Sequence, residues 1–565
     1  MPSSLQQRPS FVELFTPKLV TILREGYGLG DLRADALAGL TVAIVALPLS
    51  MAIAIASGAT PVQGLYAAIF GGFLVSALGG SRFQVGGPAG AFIVLVAATI
   101  ARHGMEGFFL ATILAGLMLL AIGFLRLGSY IKFIPYPVTV GFTAGIAVII
   151  FASQLRDLLG LTLTGKEPGE LIPKLQAFGQ VLGTITPAAV ALALATVLLI
   201  AGLQRFRPHW PGMLIAVVLG GAAIWAFHLP VETIGTRFGG IPSGIPLPAL
   251  PSVSLAKIAA VLPDALSFAL LGAIESLLSA VVADGMTGRR HRSNCELVAQ
   301  GVANVASAVF GGLCVTGTIA RTATNVRAGA RGPLAGMFHA LFLLIFILVA
   351  APLARFIPLA VLGGILAVVA WKMLDRHAFA ILLRASWGDA VVLLATFLLT
   401  IFRDLTTGIL VGFGLGTLLF LNRMAQATRI DGELAPGDEA DAVGAARKPY
   451  DAALATDPDL VVYRISGAFF FGSASAIGSV LDRIAERPKT VVLDFSAVPF
   501  LDSTAANTVA GVVAKAVRNK VALILTGAKP AVHETLSAHG VHEPGVRYAA
   551  SIDAAVRPPL PADHR

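Results

Sequence analysis

The chain has 565 residues, of which 56% are hydrophobic and only 13% are charged, and its mean hydropathy is +0.81. This composition excludes an ordinary soluble protein and indicates a chain that crosses a membrane many times. The formal charge of +9 does not indicate nucleic-acid binding, because the basic residues cluster at the ends of apolar segments. The two cysteines, Cys295 and Cys314, are too few for a disulfide framework or a cysteine-rich metal site.

Apolar segments long enough to span a bilayer recur through the first 425 residues. We predict about fourteen helical spans, which begin near residues 36, 61, 86, 106, 135, 187, 211, 263, 294, 318, 333, 357, 387 and 405. If the N-terminus is cytoplasmic, basic clusters such as 289–292 all follow even-numbered spans, as the positive-inside rule requires. We therefore expect a multi-pass protein of the cell (inner) membrane with both termini in the cytoplasm.

The composition changes after Arg423, where residues 426–458 become rich in Asp, Glu, Ala, Gly and Pro, as in a solvated linker. Beyond it, β-branched runs alternate with helix-like stretches, a pattern typical of a small α/β domain. These runs and stretches are, in order, 460–465, 474–486, 490–495, 504–518 and 521–526. We expect a transmembrane domain over 1–425, a linker over 426–458 and a cytoplasmic domain over 459–560.

The run VGGPAG at 85–90 interrupts the apolar pattern at the start of the third predicted span. Pro88 is typical of the first turn of a helix, and Gly86 and Gly87 let the backbone approach a ligand closely. A helix that begins at membrane depth presents free N–H groups and the positive end of its dipole, which suits an anion. The alternative interpretation is a tight turn between two spans.

A second interrupted segment, GGLCVTGTIARTATNV at 311–326, lies about half a chain later and begins a short polar helix near Thr318. Two glycine-interrupted segments at corresponding places in two halves predict a transporter whose substrate site lies between inverted repeats. Each repeat would contain seven spans.

Three polar residues within apolar segments are candidates for function. Arg321 is costly in a membrane unless it faces a cavity or a partner, or reaches the cytoplasm at a helix end. Glu275 lies in an apolar span with Ser279 one turn away, so it could take up a proton or merely tie helices together. For His339 we favour a hydrogen bond across helices over a proton relay.

Four stretches together resemble the SulP family of anion transporters with a C-terminal STAS domain. They are the Gly-Pro before the third span, AIESLLSAVVADGMTGRRHRSNCELVAQGVANVASAVFGG at 273–312, TGTIARTATNVRAGARGPLAG at 316–336 and LDFSAVPFLDSTAAN at 493–507. The resemblance implies a seven-plus-seven inverted repeat, a core domain and a gate domain, and elevator-like movement of an anion site between the third and tenth spans. It also implies a homodimer.

Carried over to this chain, the resemblance implies a substrate site made of backbone, Glu275 as the proton-coupling carboxylate, H+ as the coupling ion, and no cofactor or metal. The site consists of Gly87, Pro88, Ala89 and Gly90 opposite Thr318, Ile319, Ala320 and Arg321. Many family members have Gln and Ser where this chain has Leu49 and Ala320. These differences remove polar contacts, so sulfate, bicarbonate and a C4-dicarboxylate all stay open as substrates.

In the C-terminal domain, Asp502-Ser503-Thr504 resembles the phosphoacceptor region of anti-sigma-factor antagonists. Ser503 or Thr504 would then be a regulatory phosphoacceptor, and the STAS domain would bind a protein partner. The alternative is that this segment only caps the following helix.

The sequence thus predicts a proton-coupled secondary transporter of small anions. One alternative is a nucleobase carrier of similar architecture, which would leave Arg321 unexplained. Another is a membrane-anchored STAS scaffold, against which the interrupted helices argue. An enzyme is not expected, because the sequence contains no nucleophile and base arrangement, metal-ligand spacing or phosphate loop.

Overall fold

The computed structural model describes residues 11–128, 135–163, 165, 167–168, 171–207, 210–403, 405–427, 429–432, 460–470 and 489–556. The chain forms two compact units, residues 1–413 and 414–565. The first unit is helical apart from two very short strands, and the second is built on a sheet.

The first unit begins with two short helices, α1 (Phe11–Phe15) and α2 (Lys18–Glu25). Its next helices are α3 (Leu29–Ala56), α4 (Pro61–Tyr66), α5 (Gly72–Leu78), α6 (Ile93–Phe124), α7 (Tyr136–Leu159), α8 (Leu171–Gln180), α9 (Pro187–Phe206), α10 (Gly212–Phe227) and α11 (Ile234–Phe238). The second half contains α12 (Leu255–Thr287), α13 (Ser293–Val309), α14 (Ile319–Arg327), α15 (Leu334–Ala354), α16 (Leu359–Met373), α17 (Arg376–Ala385), α18 (Trp387–Phe402) and α19 (Leu405–Ala427). Strands β1 (Gly86–Gly87) and β2 (Thr316–Gly317) precede α6 and α14.

The predicted fold class, a polytopic helical protein of two seven-span halves with a C-terminal α/β domain, is confirmed. Eight helical segments among the described residues are long and apolar enough to cross a membrane, and shorter apolar helices supply further spans. One predicted boundary differs. The third and fourth spans are two helices within α6, separated by a kink where Gly104 adopts φ 70° and ψ −177°, whereas α12 begins at Leu255 instead of 263 and contains Pro263 in its interior.

The packing of the helices follows the inverted repeat. The first helix of the first half, α3, packs on α15, and the first helix of the second half, α12, packs on α6. These are equivalent pairs, because α6 contains the fourth span of one half and α15 is the fourth span of the other. A second group of helices contains α7, α9, α16 and α18, in which α7 contacts α18 and α9 contacts α16.

Helices α6 and α13 cross with their backbones in contact at Gly116 and Gly301. A Cβ atom on Gly301 would lie 2.6 Å from the Gly116 carbonyl oxygen, and one on Gly116 would lie 2.7 Å from the Gly301 carbonyl oxygen. Small residues at such crossings let helices approach closely in a membrane, where packing drives association. Gly116 and Gly301 therefore hold the two helices together.

The second unit contains a five-stranded sheet. Its strands are β3 (Arg429–Gly432), β4 (Leu460–Ser466), β5 (Thr490–Ala497), β6 (Ala522–Thr526) and β7 (Arg547–Ala549). They are adjacent in that order, with β3 antiparallel to β4 and the other pairs parallel. Its helices are α20 (Ser503–Arg518), α21 (Pro530–Ala538) and α22 (Ile552–Val556). The α/β prediction is confirmed.

Residues 429–432 fall within the stretch that we expected to be a linker and form the edge strand β3. The remainder of that stretch from 433 to 458, and the helix predicted over 474–486, lie outside the described residues. The core of the unit is apolar, with Phe469, Phe495 and Val509 fully buried.

Asp494 on β5 is the buried carboxylate of this sheet, with a side chain only 3% exposed. Burial alone would raise the pKa of Asp494, but hydrogen bonds from Arg464 Nε (2.7 Å) and Ser496 Oγ (2.8 Å) outweigh it and hold the pKa below its ordinary value. Arg464 lies opposite Asp494 in the register of β4 and β5. The ion pair therefore joins two neighbouring parallel strands.

The contact between α6 and α13 predicts that Gly301→Ala lowers the unfolding temperature of the detergent-solubilised full chain. The added methyl group overlaps the Gly116 carbonyl, and overpacking of this kind costs about 1–3 kcal/mol. Gly202→Ala on α9 is the matched control, because nothing lies within 4 Å of the added atom. Equal unfolding temperatures for the two variants would contradict the close contact.

The lowered pKa of Asp494 predicts that the second unit loses stability in acid. Because the folded-state pKa lies below the unfolded value, the stabilisation is complete above the unfolded value of about 3.9 and is lost as the pH falls through the folded value. The hydrogen-exchange rate of the β5 amides is measured at each pH and divided by the rate of an unstructured peptide at that pH. This ratio should rise as the pH falls below about 4. In Asp494→Asn this acceleration should be absent, and exchange should be about tenfold faster at neutral pH.

Candidate functional site

The two short strands of the first unit pair with each other at the centre of the helices. β1 and β2 are antiparallel, with Gly86 opposite Gly317 and Gly87 opposite Thr316. A short 3-10 turn from Gly90 leads from β1 into α6, and α14 begins directly after β2. Because the strands are antiparallel, the two helices begin at the crossing and run away from it in opposite directions.

Neither helix beginning is capped by a side chain. Ala89 precedes the 3-10 turn and Thr318 precedes α14, and neither residue's side chain accepts a hydrogen bond there. The first N–H groups of a helix have no partner within it, and the helix dipole makes this end positive. Two positive helix ends therefore meet at one place.

Arg321 on α14 adds a full positive charge at this crossing and is only 1% exposed. Its Nη2 donates to Ser50 Oγ (3.0 Å) and to the Pro88 carbonyl (3.2 Å), and its Nη1 donates to the Gly86 carbonyl (3.4 Å). Nε has no hydrogen-bond partner, and no carboxylate of the described chain forms an ion pair with the guanidinium. Arg321 is therefore a buried cation held by neutral acceptors, and it does not reach the helix end as the alternative interpretation required.

The predicted site residues lie together around this crossing. A Cβ atom on Gly87 would lie 1.6 Å from Arg321 Nη1, so only glycine leaves room for the guanidinium there. Ala89 is buried, whereas Ile319 and Ala320 are exposed on the first turn of α14. The Thr318 hydroxyl is buried without a partner in the described part of the chain. At Gly90 the backbone faces Ile150 of α7 and Met373 of α16.

Helix α12 carries Glu275 past the crossing. Thr316 Oγ1 donates to the Gly272 carbonyl (3.2 Å), and Ser279 Oγ donates to Thr322 Oγ1 (3.0 Å). Glu275 lies three residues after Gly272 and four before Ser279, and therefore on the same face of α12. The side chain is partly exposed, and no hydrogen bond or ion pair joins it to another described residue.

Sequence reasoning missed the residues that hold β1 in place. Thr322 Oγ1 accepts from the Val85 N–H (3.2 Å), and Asn325 Nδ2 donates to the Phe83 carbonyl (2.9 Å). Ser50, which binds Arg321, is fully buried on α3. The available signal was the spacing of Thr322 and Asn325, which places two small polar side chains on the buried face of a short helix.

His339 does not make the cross-helix hydrogen bond that we predicted. The ring is fully buried on α15, and neither of its nitrogens has a partner among the described residues. Its Cε1 lies 3.9 Å from the position of a Cβ on Gly72, on the side of β1 that faces α5.

A separate cavity of about 470 Å³ lies at the ends of α7, α9 and α16, and its lining includes Arg156, Asp157 and Glu232. Arg237 forms ion pairs with Asp157 and with Glu232. Because these charges are paired, the cavity lacks the uncompensated charge that marks the crossing of β1 and β2.

In the second unit, Asp502 caps α20, since its Oδ1 accepts from the Ala505 N–H (2.9 Å). The segment does cap the helix, with Ser503 as its first residue, and a cap at Asp502 leaves both hydroxyl groups available. Ser503 and Thr504 are both exposed in its first turn.

Two halves of seven spans, with broken helices that meet at a polar centre, define the class of secondary transporters built from inverted repeats. Residues 32–396 match the sulfate permease family and residues 451–555 match the STAS domain, so the chain belongs to the sulfate permease family and carries a STAS domain. The resemblance noted from the sequence is confirmed. Membership of this family makes the chain a membrane transport protein and not an enzyme.

Relatives match along nearly the whole chain. The putative sulfate transporter YvdB of Bacillus subtilis is 39% identical over 519 residues, which cover 92% of this chain and 95% of that protein. The bicarbonate transporter BicA of Picosynechococcus is 32% identical over 510 residues, which cover 88% of this chain and 89% of that protein.

Solved structures support the same fold. The transmembrane domain of a cyanobacterial bicarbonate transporter BicA superposes with a TM-score of 0.62 at 35% identity, covering 68% of this chain and 98% of that one. The overall structure of SLC26A9 has a TM-score of 0.82 and covers 98% of this chain and 97% of that one. At 18% identity, the second likeness shows the fold alone.

Proposed function

We propose that the protein is a secondary active transporter that couples the uptake of small anions to protons by elevator-type alternating access. The observation that carries this proposal is Arg321, a buried cation that pairs with no carboxylate of the described residues, at the place where two uncapped helix N-termini meet. An anion at this crossing would balance the charge and receive the free N–H groups.

The charge of the site argues against a neutral substrate. A buried cation without a counter-charge costs several kcal/mol, and a nucleobase would leave that cost in place. Two relatives that match most of this chain are named as a sulfate and a bicarbonate transporter, which supports an anion.

Substrate choice lies in the side chains next to the crossing. Leu49 is 7% exposed on α3 and Ala320 is exposed on α14, and neither side chain can donate a hydrogen bond. Backbone N–H groups recognise charge more than shape, so the substrate class comprises sulfate, bicarbonate and C4-dicarboxylates.

Glu275 is the proposed proton carrier. It lies on the face of α12 that contacts both β2 and α14, and the described chain offers it no counter-charge. A bound anion would repel an ionised carboxylate at this position and so favour its protonation. Anion and proton binding are then mutually reinforcing, which is the thermodynamic requirement for symport.

The proposed movement separates two groups of helices. The crossing belongs to the group of α3, α6 and α12 to α15, and it faces the second group through apolar side chains. A Cβ on Gly90 would lie 3.3 Å from Ile150 Cδ1 and 3.7 Å from Met373 Sδ. Such contacts carry no directional bonds, so they suit sliding better than a polar interface would.

We assign the protein to the cell (inner) membrane with both termini cytoplasmic, and we expect a homodimer.

Ser503 and Thr504 are the proposed regulatory phosphoacceptors, and the proposed protein partner of the STAS domain would bind the phosphorylated form. Both are exposed in the first turn of α20, where the helix dipole favours a phosphate.

Glu275→Gln should abolish proton coupling, because the amide cannot take up a proton. In proteoliposomes of the wild-type chain, uptake of radiolabelled sulfate or succinate should quicken about tenfold under an inward proton gradient. The variant should show the same slow uptake with and without the gradient. The exposed Glu106 provides the matched control, Glu106→Gln, which should behave as the wild type.

A gradient response that survives in Glu275→Gln would contradict the coupling role of this carboxyl. If the wild-type chain takes up neither anion, and bicarbonate does not bind either, the proposal of anion transport is wrong.

Gly87→Ala should weaken anion binding by about tenfold or more. The added methyl group takes the place of Arg321 Nη1, so the guanidinium must leave its carbonyl acceptors, and a hydrogen bond to a charged group contributes about 1.5–3 kcal/mol. Gly285→Ala on α12 is the control, because nothing lies within 4 Å of its added atom. Titration calorimetry with sulfate, bicarbonate and succinate measures the effect, and unchanged affinity would show that Arg321 does not serve the site.

A further inference from the structure

We propose that Glu296 is a positioning residue of the anion site, whose carboxylate holds the segment that leads into β1 and so sets where the first helix N-terminus lies. This inference rests on the proposed function, because it concerns the geometry of the same site. Glu296 lies on α13 and touches neither β1 nor β2 directly; it acts through the residues that it binds.

The carboxylate of Glu296 is fully buried and is surrounded by neutral donors. Oε2 accepts from the Ser81 N–H (3.0 Å), and Oε1 accepts from Gln84 Nε2 (3.0 Å) and Gln300 Nε2 (2.9 Å). No cation of the described chain forms an ion pair with it. A buried carboxylate without a cation depends on hydrogen bonds for its stability, so these three donors are held firmly.

Two of these donors belong to the segment that leads into β1. Ser81 and Gln84 lie just before Gly86, and the Gln84 side chain also rests against the opposite strand. A Cβ on Gly317 would lie 1.7 Å from Gln84 Nε2. Glu296 therefore keeps the Gln84 amide in contact with β2 while it anchors the backbone ahead of β1.

The same face of α13 also holds the segment that leads into β2. Asn304 Nδ2 donates to the Gln300 carbonyl (2.8 Å) and to the Val315 carbonyl (2.7 Å), and the Val315 N–H donates to Asn304 Oδ1 (2.8 Å). Residues 296, 300 and 304 are four apart and share one helix face. One rigid helix thus fixes both strands, and through them both helix beginnings.

The consequence for the site follows from the acceptors of Arg321. The guanidinium is bound by the carbonyls of Gly86 and Pro88, which follow directly on the segment that Glu296 anchors. If that anchor is lost, these carbonyls and the helix beginning at Gly90 move relative to α14. The anion then meets one correctly placed helix N-terminus instead of two.

Glu296→Met tests the anchor, because it keeps the length of the side chain but removes every acceptor. With the full chain in nanodiscs, the affinity for sulfate, bicarbonate and succinate measured by calorimetry should fall about tenfold or more. Glu296→Gln should stay within about threefold of the wild type. In this variant the amide oxygen at position 296 still accepts from the Ser81 N–H. The amide N–H at position 296 can donate to Oε1 of Gln84, which is otherwise unpartnered, once the Gln84 amide rotates. Glu106→Met is the control for the substitution and should bind as the wild type does.

A second measurement separates positioning from general stability. In the wild type, sulfate should slow amide exchange in both segments, 86–93 and 316–322. In Glu296→Met, protection should persist at 316–322 and disappear at 86–93, because only the segment ahead of β1 has been released. If Glu296→Met does not fold, Gln84→Met removes one of the two links to this segment while it leaves the carboxylate and its bond from Ser81 in place, and it should show the same pattern in weaker form.

Four results would overturn the inference. Wild-type affinity in Glu296→Met would show that no anchor is needed, and equal loss in Glu296→Gln and Glu296→Met would assign the role to charge instead of position. Equal loss of protection in both segments would indicate general destabilisation. Failure of the wild-type chain to bind any of the three anions would overturn the proposed function itself, and this inference with it.

Discussion

The antiparallel pairing of Gly86 and Gly87 with Thr316 and Gly317 is the constraint on which the centre of this protein depends. Non-helical backbone inside a membrane protein must find hydrogen-bond partners within the protein, because no water or lipid group can supply them. Here each half supplies the partner for the other. The pair forms only when side chains are absent at Gly87 and Gly317, since the Arg321 guanidinium and the Gln84 amide fill the space that a Cβ would take. The two helix beginnings therefore exist at membrane depth only when both halves have folded together.

The electrostatics of the crossing follow from this backbone arrangement. Arg321 donates hydrogen bonds to Ser50 and to the carbonyls of Gly86 and Pro88, and no carboxylate of the described chain pairs with it. In a trans peptide the C=O and N–H point to opposite sides, so a Pro88 carbonyl that faces Arg321 turns the Ala89 N–H away from it. The guanidinium thus orients the Ala89 N–H at the helix beginning. Its own positive charge lies on the opposite side of the same peptide. Glu275 and Glu296 both lie near this centre on different helices. Glu275 has no partner in the described chain, whereas neutral donors bind Glu296.

The prediction from sequence was accurate wherever a short stretch of chain decides its own conformation. Hydropathy located the spans, Pro88 marked a helical turn that begins at Gly90, and alternation of β-branched runs located β4, β5 and β6 but neither β3 nor β7. It was less accurate where packing decides. Helix α12 begins at Leu255 and runs through Pro263, where we predicted a beginning near 263. For His339 the expected hydrogen bond is absent among the described residues, since neither ring nitrogen has a partner there.

By itself, the sequence determined the class of fold and located the spans and the two glycine-interrupted segments, because hydropathy, glycine and proline act within a few residues of the chain. The eight positions of the candidate site came from the family resemblance and stay a proposal. Only the tertiary structure decided that Arg321 turns toward backbone carbonyls, that Glu275 lies on the helix face next to both strands, and that Glu296 anchors the segment ahead of β1. Each of these facts depends on residues that are distant in sequence, such as Ser81 and Glu296. No local sequence pattern indicates which polar groups contact each other, because these contacts depend on how the two half-chains pack around a shared centre.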